Sequence, residues 1–596
     1  MAFQNTNTKL SNSLKAVDRI RIWYGLLILV MAVFGIRLFY VQIIRYGHYK
    51  SAALSDQLKQ YQIPATRGII EAHDGDSTVP IVLNQQLYTL YADPTFIKNA
   101  GQAADKVAAI IGGQPATYEK LMKTKDTRYV VLAKKLNSDQ SKRLLALKIP
   151  GLGTQGQYFR IYPQGSLASQ ELGFVDNDGN GQYGLEQALN KQLAGKPGEV
   201  KAVTDVNGVP LAASKDNVET APQNGDTVVT SLDLPMQAQM EKILKSEYQK
   251  TKSRGISAVI MDVNTGKVKA MANYPTYDPS NYQSVSDPSV YQNGAVTNAI
   301  EPGSTMKILT TAAALDQGVI QPNTSFYDPA HWVVDGFNIT DIEEDGGARE
   351  QTIASLLNLS LNTGATWELM QMGGGQINLK GRTAWYDYLT KHFRIGDLTN
   401  IEQGYEAAPA VPKPQNNGAG INLTYANMSF GQGVQVTPIQ MAAADASVLN
   451  GGTYYQPSLV DQVIAADGKT TTVKPKAVVK NVVSPKVSQE MQPLMEYVVQ
   501  QHLKDGFPYL NFDSNYIVGG KTGTAQIAKP GGGYYDNEYN GTYVGFVGGD
   551  KPQYVIVVYN IQPGVPGYAG TYGGQPVFAD LAHMLIDNSY VEPKSN

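Results

Sequence analysis

The sequence predicts an α+β fold, and three observations carry that prediction. Runs with strand alternation stand at both ends of the region beyond residue 226, helical stretches fill the space between them, and the run Ile308–Leu315 is apolar on every side, as a helix packed inside other layers is. At the first end, Ile256–Val263 and Lys267–Met271 flank Asn264-Thr265-Gly266, which reads as a β-hairpin. At the other end, Tyr516–Gln526, Thr542–Val547 and Tyr554–Tyr559 read as strands and Pro576–Ile586 as a closing helix. Strands from both ends then make a central antiparallel sheet, and the helices cover it.

Length and composition bound the rest. At 596 residues the chain is too long for one ordinary core, so two or more modules are expected. With 49 basic against 52 acidic residues the net charge is −3, which gives no sign of a nucleic-acid partner. Cysteine is absent, which excludes disulfides and thiolate metal sites. His48, His73, His331, His392, His502 and His583 are scattered without ligand spacing, so neither a metal nor another cofactor is expected. No Gly-x-Ser-x-Gly elbow supports an α/β-hydrolase.

Taken in order, residues 1–21 form a polar tail in which Lys9, Lys15, Arg19 and Arg21 face a single acid, Asp18. Ile22–Ile44 follows, 23 predominantly apolar residues whose one charge is Arg37, long enough for a transmembrane helix, which needs about 20. Arg37 can snorkel to an interface. The basic flank predicts a cytoplasmic N-terminus and an extracytoplasmic remainder. A cleaved signal peptide is the alternative, but no small-x-small cleavage site follows closely, so an uncleaved single-pass anchor is expected. Residues 45–225 mix strand and helix with turns at Asp74-Gly75, Asp178-Gly179-Asn180-Gly181 and Asn207-Gly208. Tyr183-Gly184-Leu185-Glu186 opens a helix that ends at Gly195-Lys196-Pro197-Gly198, and Ser214–Asn224 reads as a linker. The domain at 226–590 begins with a strand at Thr227–Leu232 and a helix at Met236–Tyr248, and a short tail occupies 591–596. Ala407–Gly420 and Pro530–Gly541 are expected to be loops, the second overhanging the strand that carries Lys521. There is no internal repeat, and no further C-terminal module is expected.

The chemistry starts at Glu301-Pro302-Gly303-Ser304-Thr305-Met306-Lys307. Pro302 and Gly303 suit a helix entry and Gly318 its C-terminal cap, so a buried helix begins near Ser304. Ser304 and Lys307 then share a face one turn apart, and the helix dipole favours negative charge developing at the serine. A serine hydroxyl is a poor nucleophile until a base takes its proton, and a lysine in a dry site can act as that base. Alone, a Ser-x-x-Lys spacing is mostly chance. Here Ser360-Leu361-Asn362 and Lys521-Thr522-Gly523-Thr524 follow in the order that such a nucleophile predicts.

With these motifs placed, the chain closely resembles the class B penicillin-binding proteins, the membrane-anchored D,D-transpeptidases of bacterial cell-wall synthesis. The likeness runs through Arg37-Leu38 with Gln42, Arg67-Gly68-Ile69-Ile70, Arg160-Ile161-Tyr162-Pro163, Gly173-Phe174-Val175 and Gly184-Leu185-Glu186. Further on it takes in Asp262 with Thr265-Gly266, Tyr274-Pro275-Thr276-Tyr277-Asp278-Pro279, Ser429-Phe430-Gly431-Gln432-Gly433, Val436-Thr437-Pro438 and Gly519-Gly520. It implies a non-catalytic pedestal at 45–225, concerned with dimerisation or partner binding, and a penicillin-binding, serine β-lactamase-like transpeptidase domain at 226–590. Three departures stand out: Glu71-Ala72-His73-Asp74-Gly75 where the family has an acidic-basic-Asn-Gly turn, Leu361 inside the second motif, and Thr399-Asn400-Ile401-Glu402-Gln403.

The resemblance implies that Ser304 attacks the penultimate D-Ala of a peptidoglycan stem peptide while Lys307 takes its proton. Ser360 relays a proton to the leaving amine, Asn362 holds the substrate amide, and the N–H groups of Ser304 and Thr524 form the oxyanion hole. Lys521, Thr522 and Thr524 receive the terminal carboxylate, and Gly523 leaves room for an extended peptide along the strand edge. β-Lactams resemble D-Ala-D-Ala and would acylate Ser304. No glycosyltransferase domain is recognisable, so glycan polymerisation would fall to a partner, a SEDS-family polymerase among other divisome or elongasome membrane proteins. The region of Gly173-Phe174-Val175 and Gly184-Leu185-Glu186 favours septal over lateral-wall synthesis. The competing classes are a carboxypeptidase, a serine β-lactamase, and a sensor or non-catalytic scaffold.

Overall fold

The computed structural model of the chain describes residues 8–50, 58–203, 218–341, 347–415, 420–529 and 532–595. It divides into two compact units, Met1–Ala65 with Lys196–Gln223, and Thr66–Gly195 with Asn224–Asn596. In the first unit a helix at Thr8–Phe39 passes into a π-helical turn at Tyr40–Ile44. Ile20–Ile44, 25 residues, is long and apolar enough to cross a membrane and contains the span read from the sequence. Arg37 lies in the last turn of the long helix with its guanidinium 5.6 Å from the centroid of the Tyr40 ring.

The same unit holds a three-stranded antiparallel sheet in which Gly198–Val203 pairs with Leu58–Ile63 on one side and Val218–Thr220 on the other. That last strand corrects the linker reading. Backbone pairing draws Val218–Thr220 into the sheet despite its polar setting, because strand formation answers to the partner edge as much as to composition. Residues 214–217 and the Asn207-Gly208 turn lie outside the described residues.

In the second unit Ile70–Asp74 and Ser77–Ala92 form a hairpin that turns at Gly75-Asp76, one residue beyond the predicted Asp74-Gly75, with Gly75 at φ +60°. The departure at Glu71–Gly75 therefore keeps its turn, and His73 Nε2 lies 2.9 Å from Asp461 Oδ2. Ser77–Ala92 also pairs with Leu152–Ile161 and Val130–Leu136, and helices at Ala100–Ile111, Pro115–Met122 and Ser138–Ala146 close a core around Leu90, Val107, Leu132 and Leu144. The predicted helix at Tyr183 is two short ones, Gly184–Ala188 and Asn190–Leu193. They bring three distant segments together. The fully buried Glu186 carboxylate accepts from Arg67 Nε and Arg160 Nε, both at 2.7 Å, and the two guanidiniums donate onward to Asn190 Oδ1 (2.8 Å) and Asn84 Oδ1 (3.0 Å).

The central sheet has five strands in the order 268–274, 255–262, 552–561, 534–548 and 517–528, antiparallel throughout. This is the α+β domain that the sequence predicts. Side chains alternate along each strand: Ala258 and Ile260 pack with the helices Leu234–Thr251 and Gln575–Asp587, whereas Val259 and Met261 face the core that holds the Ser304 helix. The strand carrying Lys521 forms one edge. Ala407–Gly420 contains no helix or strand among its described residues. Pro530–Gly541 is corrected: Tyr534–Gly548 is one strand, with Ala528 opposite Tyr534 and Gln526 opposite Tyr539, so the hairpin runs well past the sheet. Main-chain pairing along the Lys521 strand overrides the low strand propensity of its Gly and Asn residues.

The helix Pro438–Leu449 is buried at every position, and within it both carboxyl oxygens of Asp445 are buried without a hydrogen-bond partner among the described residues. Burial pushes this carboxyl well above its ordinary range. Because its pKa is raised in the folded state, its contribution to stability is full below the unfolded carboxylate pKa of about 4 and is lost as the pH rises toward the folded value. Asp445→Asn stays neutral throughout, so its thermal stability should fall less between about pH 5 and about pH 8 than that of the parent chain. Parallel pH profiles for the two proteins would contradict this.

Candidate active site

Gly303–Thr305 forms a 3-10 turn that feeds the α-helix Met306–Asp316, so the helix begins within a turn of the predicted start. Gly303 is at φ +60°, and a side chain there would strike the backbone of Thr524. Glycine at 303 is what lets the serine turn lie against the Lys521 strand. Its N–H donates to Gly431 O at 3.0 Å. At the far end Gly318, at φ +68°, donates to Leu315 O and Val319 donates to Ala314 O, which satisfies carbonyls the helix leaves open.

Ser304 is partly exposed and Lys307 is fully buried. Lys307 Nζ lies 3.0 Å from Ser304 Oγ, 2.9 Å from Asn362 Oδ1 and 3.3 Å from Ser360 Oγ, and it also donates to the Ser360 carbonyl. Ser360 ends the helix Ile353–Leu359 in a left-handed conformation, φ +62°, which is uncommon for a residue with a side chain. Leu361 then turns into the core at 1% exposure, so the departure within this motif is a packing feature. Asn362 opens the helix Asn362–Met372. Its Nδ2 donates to Thr340 O at 3.2 Å, which leaves Oδ1 for the ammonium.

Asp341 completes this corner and was not legible in the sequence. Its Oδ1 accepts from the N–H groups of Asn362 (2.5 Å) and Thr363 (3.1 Å), and Thr363 Oγ1 donates to Oδ2. It caps the start of the Asn362 helix from 21 residues away, and burial raises its pKa.

Across the cleft, Lys521 and Thr522 are buried on the edge strand. Lys521 Nζ donates to Thr522 O at 3.2 Å. A Cβ at Gly523 would overlap Thr542 Oγ1 and the Pro302 carbonyl, so on that side the glycine admits the serine turn. Thr542 Oγ1 and Thr305 Oγ1 both donate to Pro302 O, at 2.6 and 2.9 Å, and Thr524 Oγ1 accepts from Gly570 N. Glu301 Oε1 accepts from Gly433 N (2.9 Å) and the Tyr534 hydroxyl (3.1 Å), tying the Ser429–Gly433 motif and the long hairpin to the turn before Ser304. Tyr534 is a residue the loop reading concealed. Hydrogen bonds thus gather Ser304, Lys307, Ser360 and Asn362, and backbone packing sets Gly523 and Thr524 beside them. Lys521 and Thr522 stand next on the same strand. A nucleophilic oxygen in reach of an amine, beside an open strand edge, can support acyl transfer to or from a bound peptide.

A family model described as the penicillin binding protein transpeptidase domain matches residues 256–583, and one described as the penicillin-binding protein dimerisation domain matches 62–230. The chain belongs to the class B penicillin-binding proteins. Among relatives of this class B family, Stage V sporulation protein D of Bacillus subtilis is 30% identical over 96% of this chain and 85% of its own length. Peptidoglycan D,D-transpeptidase FtsI of Escherichia coli is 27% identical over 90% of this chain and 86% of its own. Among solved structures, penicillin binding protein 3 from Mycobacterium tuberculosis complexed with aztreonam superposes with a TM-score of 0.67 at 25% identity, covering 90% of this chain and 98% of that one. Penicillin binding protein 2X from Streptococcus thermophilus, at 24% identity and a TM-score of 0.70, shares the fold. The N-terminal apolar helix fits the single-pass membrane anchor of such a penicillin-binding protein.

Proposed function

We propose that this chain is a peptidoglycan D,D-transpeptidase and a covalent target of β-lactams, with Ser304 as its nucleophile. The observation that carries the reading is the Lys307 ammonium within 3.0 Å of Ser304 Oγ and 2.9 Å of Asn362 Oδ1, against the strand that bears Lys521 and Thr524. Lys307, as the free amine, takes the proton of Ser304, and the oxygen attacks the carbonyl carbon of the penultimate D-Ala. The developing oxyanion lies between the N–H groups of Ser304 and Thr524 at the positive end of the helix. Ser360, in reach of Lys307, passes the proton to the departing amine of the terminal D-Ala, leaving an acyl ester on Ser304. Asn362 holds the substrate amide, and Lys521, Thr522 and Thr524 receive the terminal carboxylate, with the peptide running along the edge beside Gly523. An amine from a neighbouring stem then attacks the ester, forms the cross-link and returns the proton to Ser304.

The rest of the chain supports this placement. We place the cytoplasmic tail at 1–21, the anchor at 22–44, the pedestal at 45–225, the transpeptidase domain at 226–590 and a short tail at 591–596; the matched ranges 62–230 and 256–583 support a pedestal followed by a transpeptidase domain. The basic flank at Lys9, Lys15, Arg19 and Arg21 supports an N-terminus inside and a catalytic domain outside. We take the septal role, with a SEDS-family polymerase as partner. Product analysis tests the activity: full-length, detergent-solubilised protein given a D-Ala-D-Ala stem peptide and an acceptor stem should yield cross-linked dimer with release of D-Ala. Hydrolysed monomer alone would identify a carboxypeptidase instead.

A further inference from the structure

Below the Ser304 site lies a buried carboxyl that this chemistry does not use. Glu368 is on the Asn362 helix, fully buried, and its Oε1 and Oε2 accept from the Thr311 hydroxyl at 2.9 and 3.1 Å. Thr311 is one turn beyond Lys307 on the Ser304 helix. The two helices are therefore joined by two polar rungs, Lys307 to Asn362 at the cleft and Thr311 to Glu368 in the core beneath it. Along the two helices the rung is flanked by buried apolar side chains, among them Ile308, Ala312, Leu369 and Met372, with the buried Thr310 and Thr366 nearby. A carboxyl in such surroundings is costly to bury, and a directional polar contact there fixes the register between two helices that apolar packing alone would leave free to slide.

We propose that Glu368 is a positioning residue: held by Thr311, it sets the Asn362 helix against the Ser304 helix so that Ser360 and Asn362 stay on Lys307, and its charge acts on that lysine. The inference rests on Lys307 as the base. Burial raises Glu368 to about 8 against the opposing pull of Thr311 and Lys307, so it is neutral at pH 7 and ionises as the pH passes that value. The ionised form favours the ammonium of Lys307 and holds back the base at alkaline pH. Lys307 is the charge that acts on Glu368 among the described residues. From the other elements packed on this helix, Asp341 also faces Lys307, and Arg382 is turned to Pro414 O and Asn422.

The test is the rate of acylation by a fluorescent penicillin, from about pH 6 to about pH 10, on full-length wild type, E368Q, E368L, T311V and S304A. E368L and T311V, which cut the lower rung, should fall about tenfold at neutral pH, with melting curves to show that they fold. E368Q restores a neutral acceptor and should recover most of that loss, and its rate relative to wild type should climb about threefold or more above pH 8. A ratio that stays flat with pH, or an E368L that acylates at the wild-type rate, would overturn the proposal. A label that survives in S304A overturns the nucleophile assignment and this inference with it, whereas a label lost in S304A beside a flat ratio overturns the role of Glu368 alone.

Discussion

Lys307→Met should slow acylation of Ser304 by penicillin by about 10³-fold, within the range for loss of a general base, while the protein still folds. Lys307 Nζ touches Ser304 Oγ at 3.0 Å, where its free amine would be placed to take the serine proton. The substitution also leaves Ser360 O and Asn362 Oδ1 without the ammonium they share. Lys307→Arg separates the two effects, because a guanidinium keeps the charge and the hydrogen bonds but does not lose its proton. Both variants should be slow if Lys307 is the base. An arginine variant that acylates at close to the parental rate would mean that the cation only orients the serine.

Glu186→Ala should cost about 3–5 kcal/mol of stability and lower the melting temperature by about 10 °C, as removing one partner of a buried ion pair does. Its carboxylate is the shared anion of Arg67 and Arg160, whose side chains are 10% and 4% exposed, so the substitution leaves two largely buried guanidiniums with only neutral acceptors such as Asn190 and Asn84. Glu186 accepts at 2.7 Å from each, and neither arginine can shed its charge. Chemical denaturation of the full-length, detergent-solubilised protein checks this. A loss below about 1 kcal/mol would show that the cluster behaves like an exposed ion pair.

What the sequence makes legible is local. Alternation around Asn264-Thr265-Gly266 announces the hairpin because its period is a property of the strand itself, and Pro302, Gly303 and Gly318 announce the Ser304 helix because caps act on their own chain. What it conceals is non-local. Tyr534–Gly541 reads as a loop until the Lys521 strand is beside it, and Val218–Thr220 reads as a linker until Gly198–Val203 is. Asp341, Thr311 and Glu368 carry no motif, since their significance comes from the helix each one meets. The same holds for Glu402, whose carboxylate accepts from Leu459 N and Ser458 Oγ, and for Gln403, which donates to Glu171 O: the stretch that departs from the family pattern is fixed by contacts far along the chain.

The central claim is that one serine becomes an acyl ester. Full-length protein incubated with a penicillin, digested and mapped by mass spectrometry locates the adduct. The adduct should fall on the peptide that contains Ser304, persist through a chase with unlabelled drug, and be missing from Ser304→Ala. An adduct on any other residue, or one released as hydrolysed drug as fast as it forms, would contradict the account.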